Sequence, residues 1–161
     1  MTQPAHGTHD FADDPRNREV LIHVNGALVP RDRAVVSVFD AGFVLGDGVW
    51  EGLRLVKGRL ISLDAHMDRL FEGARAIDLD IGLDRAGVAK AVQDTLDRNG
   101  MTDGAHIRLM VTRGIKLLVN QDPRFALGKP TIVVVAEYKT PRPEARRNSP
   151  GLPRALATRS G

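Results

Sequence analysis

The 161-residue sequence predicts an α+β domain, and three observations carry that prediction. Asn25-Gly26 and Lys57-Gly58 interrupt apolar runs with the residue pairs that close β-hairpins. Two segments in the middle of the chain place apolar residues at helical spacing. Two later runs are rich in β-branched residues and read as further strands.

Taken in chain order, Val20-Leu21-Ile22-His23-Val24 reads as a strand, Asn25-Gly26 as a type I′ turn and Ala27-Leu28-Val29 as the partner strand. A second hairpin runs from Leu53-Arg54-Leu55-Val56 through Lys57-Gly58 into Arg59-Leu60-Ile61. Ser62 is placed to cap the next helix by accepting a backbone N–H bond, with Met67, Leu70, Phe71, Ala74 and Ile77 on its inner face. Asp84 caps another helix, which turns Val88, Ala91, Val92 and Leu96 inward and stops at Asn99-Gly100. Residues 107–112 and 131–138 complete the sheet. Both belong at its centre, because Ile132-Val133-Val134-Val135 is apolar on both faces.

Residues 1–18 are polar, with no apolar periodicity, and are expected to form a mobile leader ahead of a domain spanning 19–141. Residues 142–161 contain Pro143, Pro150 and Pro153 and no periodic apolar face, so an aberrant reading or a disordered tail is expected there. With 42% apolar and 27% charged residues the composition is ordinary for a globular protein. No apolar run approaches the ~18 residues of a membrane helix, and the first residues lack the layout of a secretory signal. A soluble cytoplasmic protein is therefore expected. The absence of cysteine excludes disulfides and thiolate metal sites.

The formal charge is +3, yet five of the 23 basic residues follow residue 141, where Glu144 is the only acidic one. The basic excess is thus confined to a tail that has no aromatic residue to stack on bases, so nucleic-acid binding is not expected. His6 and His9 lie in the leader. His23 and His106 have no carboxylate or thiol at ligand spacing, so metal binding is not expected either. Asp78 and Asp80 fit a solvated helix end better than paired acid–base work.

Three motifs concentrate the chemistry. In Gly46-Asp47-Gly48-Val49-Trp50-Glu51-Gly52 the first two glycines flank an expected sharp turn, where positive φ is free of steric cost. The spacing of the three glycines is not that of a dinucleotide fingerprint. His66-Met67-Asp68-Arg69-Leu70 puts Arg69 roughly 140° from the centre of the apolar stripe, on the polar face; periodicity alone makes it a solvated arginine. His66, one turn before Leu70, is placed to support the hydrogen bonding near Arg69, but a lone histidine beside an apolar stripe reads first as structural, not catalytic. Val111-Thr112-Arg113-Gly114 ends a strand.

In this order and spacing the motifs resemble the first half of a class IV aminotransferase, over ~120 residues from Val20 to Pro141. The resemblance implies a homodimeric, pyridoxal 5′-phosphate (PLP)-dependent enzyme that moves an amino group from an amino acid or primary amine to a 2-oxo acid. It also implies that Arg69 holds the cofactor phosphate, a role that suits a planar guanidinium fork, and that Trp50 and Arg108 line the substrate pocket. D-amino-acid transaminases of the family bind the substrate carboxylate with an Arg and a His from the following loop; Leu118 and Asn120 stand there instead, and Arg124 is the cation available from that loop. Ile115-Lys116 is closer to amine-transaminase relatives. The Schiff-base lysine is expected to be missing: Lys57, Lys90, Lys116, Lys129 and Lys139 do not match its context, and the family carries it in a second half. A truncated and inactive half is therefore expected. The alternatives are a noncatalytic fold or dimerisation remnant, and a PLP enzyme of the aminodeoxychorismate-lyase type.

Overall fold

The computed structural model describes residues 14–139, and their secondary structure follows the local chemistry of the sequence closely. Strands β1 (Leu21–Val24) and β2 (Ala27–Pro30) form the first hairpin. Asn25 (φ 51°) and Gly26 (φ 89°) both take positive φ, as a type I′ turn demands. A short helix α1 (Ala41–Leu45) precedes β3 (Gly48–Val56), which turns at Lys57 (φ 49°) and Gly58 (φ 75°) into β4 (Arg59–Leu60). Helices α2 (Leu63–Ala76) and α3 (Arg85–Arg98) come next, followed by β5 (Ala105–Thr112) and β6 (Thr131–Tyr138).

The six strands make one sheet in the order β2-β1-β6-β5-β3-β4, antiparallel at every pairing. β6 and β5 occupy its centre, as the β-branched run of β6 predicts. Helix α2 packs on β3 and α3 on β6 and β1. Between helices and sheet lie Leu53 and Leu55 of β3, Ile107, Leu109 and Val111 of β5, and Val134 and Ala136 of β6, all buried. The helices contribute Met67, Leu70, Ala74, Val88, Val92 and Leu96. Residues 133 and 135 of β6, on the other face, are half-buried. Burial thus alternates along β3 and β5 with the period of 2 that a one-sided core requires.

Four details differ from the sequence reading. Ser62 sits at the start of α2 in the left-handed region (φ 52°) and makes no capping bond, because β4 runs straight into the helix and denies Ser62 the extended backbone from which a cap reaches back. Ile77 ends α2 rather than continuing its inner face and is 40% exposed. Gly48 opens β3 without positive φ; only Gly46 (φ 69°) has it, at the end of α1. The described structure also begins at Asp14, where residues of the expected leader form a 3-10 turn, Pro15–Glu19. Asn17 brackets β6 there, donating to the Tyr138 carbonyl (2.9 Å) and accepting from the Tyr138 N–H (2.7 Å). The expected tail from residue 142 lies outside the described residues. Among the described residues no helix is long and apolar enough to cross a membrane.

Candidate cofactor and substrate site

The three sequence motifs converge at one end of β3, and two ion pairs join them. The first is built around Glu51. Strand parity points it into the core with Leu53 and Leu55, and it is only 1% exposed. A buried carboxylate is costly unless paired. α2 supplies the partners one turn apart, at the point where Gly73 lets the helix approach Val49 (a Cβ there would lie 3.3 Å from Val49 Cγ1). Arg69 donates from Nε to Oε1 (2.6 Å) and from Nη2 to Oε2 (2.5 Å), and His66 Nδ1 lies 2.7 Å from Oε2. Burial opposes ionisation of Glu51, but the bonds from Arg69 and His66 outweigh it and hold the carboxyl below its ordinary range.

The second pair joins the first motif to the third. Arg113 donates from Nε and Nη2 to the two Asp47 carboxylate oxygens (2.7 and 3.1 Å), and from Nη1 and Nη2 to the carbonyls of Asp78 and Ile77 (2.6 and 2.7 Å). Its guanidinium therefore ties the loop before β3 to the end of α2. Gly48 is required by the same closeness: a Cβ there would stand 2.6 Å from the Val111 carbonyl of β5. Beside it Asp40, 2% exposed, caps α1 at the Gly42 N–H (2.9 Å) and accepts from the Thr112 hydroxyl (3.0 Å).

The arrangement leaves one arginine edge facing outward. Arg69 is 70% exposed although its inner edge is engaged, and Nη1 makes no bond among the described residues. The two N–H groups of Nη1 are thereby available to an anion, and guanidinium N–H groups are donors that phosphate oxygens accept from. The residues present fit the phosphate end of PLP in this respect. Lys57 stands at a hairpin turn, Lys90 pairs with Asp94, Lys129 is exposed in the loop before β6, and Lys139 follows β6. Lys116, 2% exposed, donates from Nζ to the Asp122 carbonyl (2.7 Å).

Two of the three expected pocket residues come together. On the sheet face opposite the helices, the Arg108 guanidinium stacks on the Trp50 ring, 4.0 Å from its centroid. Trp50 remains 61% exposed, so cation and ring form a platform open to solvent. Gly52 beside it leaves the floor low, with His106 Nε2 3.6 Å from where a Cβ would be. Arg124 does not join them: 87% exposed, it folds back on Asp122 through Nε and Nη2 and holds that carboxyl down at about 2. Sequence reasoning assigns no role to Glu51, Asp47 or Asp40; His66 it reads as structural or as a support for the hydrogen bonding near Arg69, which is where the structure places it. For Glu51 a signal existed, an acidic residue on the buried parity of an otherwise apolar strand. Among the described residues no group of three metal-ligating side chains occurs.

A family model described as amino-transferase class IV matches residues 48–160. The chain belongs to the class IV aminotransferase family. It is 43% identical over 127 residues to branched-chain-amino-acid aminotransferase-like protein 1 of Arabidopsis thaliana, covering 79% of this chain and 23% of that protein. The branched-chain aminotransferase of Thermoproteus uzoniensis, solved with norvaline, superposes with a TM-score of 0.65 at 28% identity over 74% of this chain and 40% of that one. The 4-amino-4-deoxychorismate lyase of Pseudomonas aeruginosa gives 0.58 at 32% identity, over 76% and 40%. The α+β fold and the family resemblance read from the sequence are thus both borne out. The chain spans well under half the length of these relatives.

Proposed function

We propose that this chain is the phosphate-holding and substrate-facing half of a PLP-dependent aminotransferase that moves an amino group from an amino acid or primary amine to a 2-oxo acid. The observation that carries the reading is the divided guanidinium of Arg69, bonded inward to Glu51 and open outward to an anion. When bound, PLP supplies the electron sink that makes the substrate Cα–H acidic. Arg69 takes its phosphate. The Trp50–Arg108 platform takes the substrate, the guanidinium facing a carboxylate and the ring an aliphatic side chain, in keeping with the branched-chain aminotransferases among the relatives. A second half brings the lysine, and the working enzyme is a cytoplasmic homodimer with no nucleic-acid or membrane partner. By itself this 161-residue segment is catalytically inactive.

The test is direct. The purified chain, given PLP and borohydride, should form no stoichiometric adduct and should show no transamination; a single modified lysine, mapped by peptide mass, would overturn the inactive-half reading. The likeness to the Pseudomonas lyase supports a second reading, a lyase of related chemistry. Extending the chain through a continuing frame after about residue 144 and supplying an amino donor separates the two, because a transaminase consumes a 2-oxo acid and a lyase does not.

A further inference from the structure

We propose that Glu51 is a positioning residue for anion binding: its buried carboxylate grips the inner edge of Arg69 and so presents the outer edge, Nη1 foremost, to a phosphate. The inference rests on the assignment of Arg69 to the cofactor phosphate and says what makes that arginine competent.

Glu51 occupies a core position of β3 and is only 1% exposed, so its oxygens require the donors of α2. Arg69 gives it Nε and Nη2, and a guanidinium anchored at two nitrogens cannot rotate about its last bonds. His66, bonded to Oε2, closes the remaining side of the carboxylate and lies 3.5 Å from Arg69 Nη2. An arginine this exposed would otherwise sample many rotamers, and an anion would have to order it on binding. A second effect opposes the first: the Glu51 charge sits against Arg69 and reduces the field an anion meets. Which effect wins decides whether Glu51 positions the arginine for an anion or merely occupies it.

That competition gives the experiment its sign. The 15N-labelled 161-residue chain is titrated with inorganic phosphate and, separately, with PLP, following the Arg69 Nε–H resonance. The wild-type signal should be protected from solvent exchange and should shift saturably with phosphate. Glu51→Gln, which keeps shape and removes charge, should lose the protection and bind phosphate roughly two- to tenfold more weakly, the worth of one immobilised side chain. Unchanged or tighter binding in Glu51→Gln overturns the proposal, because that is what removal of a neighbouring negative charge alone would do. If the Gln variant fails to fold, Glu51→Asp settles the same question: it keeps the charge but cannot reach both nitrogens, so it should bind more weakly, and wild-type affinity would overturn the positioning role. Arg69→Ala separates the layers. Binding lost in Arg69→Ala but retained in Glu51→Gln leaves the phosphate assignment standing and removes Glu51 from it; a folded wild type whose Arg69 ignores phosphate overturns both.

Discussion

Arg69 and Arg113 sit in neighbouring motifs and do opposite things with the same side chain. Arg113 engages all three nitrogens inside the protein and its side chain is 13% exposed, whereas Arg69 keeps an edge outside. Arg113→Ala leaves Asp47 and two carbonyls without their donor, so it should lower unfolding stability by about 2–4 kcal/mol by chemical denaturation, the range for breaking a sheltered pair. Arg69→Ala should weaken PLP binding by about 10- to 100-fold in a chain competent to bind it, whereas Arg75→Ala, on the same helix but outside the motif, should leave binding unchanged. Burial holds His23 and His106 below the ordinary value of 6.5, assisted at His106 by Lys139, Arg108 and Arg54. His23 Nε2 also accepts the Gly26 N–H (3.0 Å), which requires it unprotonated. Folding therefore favours the neutral rings; their contribution is complete above pH 6.5 and is lost as pH falls toward their folded values. Glu51, held below 4.5, contributes above that value and adds a second loss under stronger acid. Urea midpoints should fall between pH 7.5 and 5.5, and the fall should be smaller in His23→Gln. A midpoint that is flat or rises toward pH 5.5 contradicts this.

At the scale of elements, what the sequence revealed is what neighbouring residues decide. Helix α3 was legible throughout because its Asp84 cap, its inner face and its Asn99-Gly100 stop are all local. Both hairpins were legible for the same reason. Helix α1 was not: it has five residues and no periodicity, and it exists where Gly42 allows contact with Thr112, 70 positions away, since a Cβ there would lie 2.2 Å from Thr112 Cγ2. The site divides the same way. Arg69 and Trp50 could be named from their motifs, but the bonds that give the motifs their order, Glu51 to α2 and Arg113 to Asp47, span strands and helices and have no spacing of their own. Ser62 shows a local rule failing, since residue type suggested a cap and the chain path imposed a left-handed backbone. That conformation costs a non-glycine residue roughly 1–2 kcal/mol, while glycine loses roughly 0.5–1 kcal/mol of extra chain entropy on ordering. The difference predicts that Ser62→Gly stabilises the fold by about 0.5 kcal/mol. A lower melting temperature for the variant would show that the hydroxyl contributes something the backbone argument omits.

The surface of the whole domain is unevenly apolar. Val35, Val38 and Phe43 are 74%, 63% and 70% exposed, and Leu117, Leu118, Val119 and Leu127 fall between 53% and 61%. The two groups adjoin, because the Lys116 N–H bonds the Phe39 carbonyl (2.9 Å) and the Ala41 N–H bonds Gly114 (2.8 Å). The loop bearing the second group is also fastened, through Leu117 to Phe125 (2.8 Å), Leu127 to Ile115 (2.7 Å) and the buried Lys116 ammonium on the Asp122 carbonyl. An ordered apolar surface pays little entropy on being covered, and contiguous patches beyond a few hundred Å² are uncommon on monomers. The purified chain should therefore self-associate with rising concentration. Leu118→Glu combined with Val119→Lys, both on the exposed loop, should shift it toward monomer by light scattering while leaving the circular-dichroism spectrum unchanged. A wild type that stays monomeric and monodisperse at high concentration, and binds no hydrophobic dye, would show that this surface is tolerated in water and is not an interface between copies.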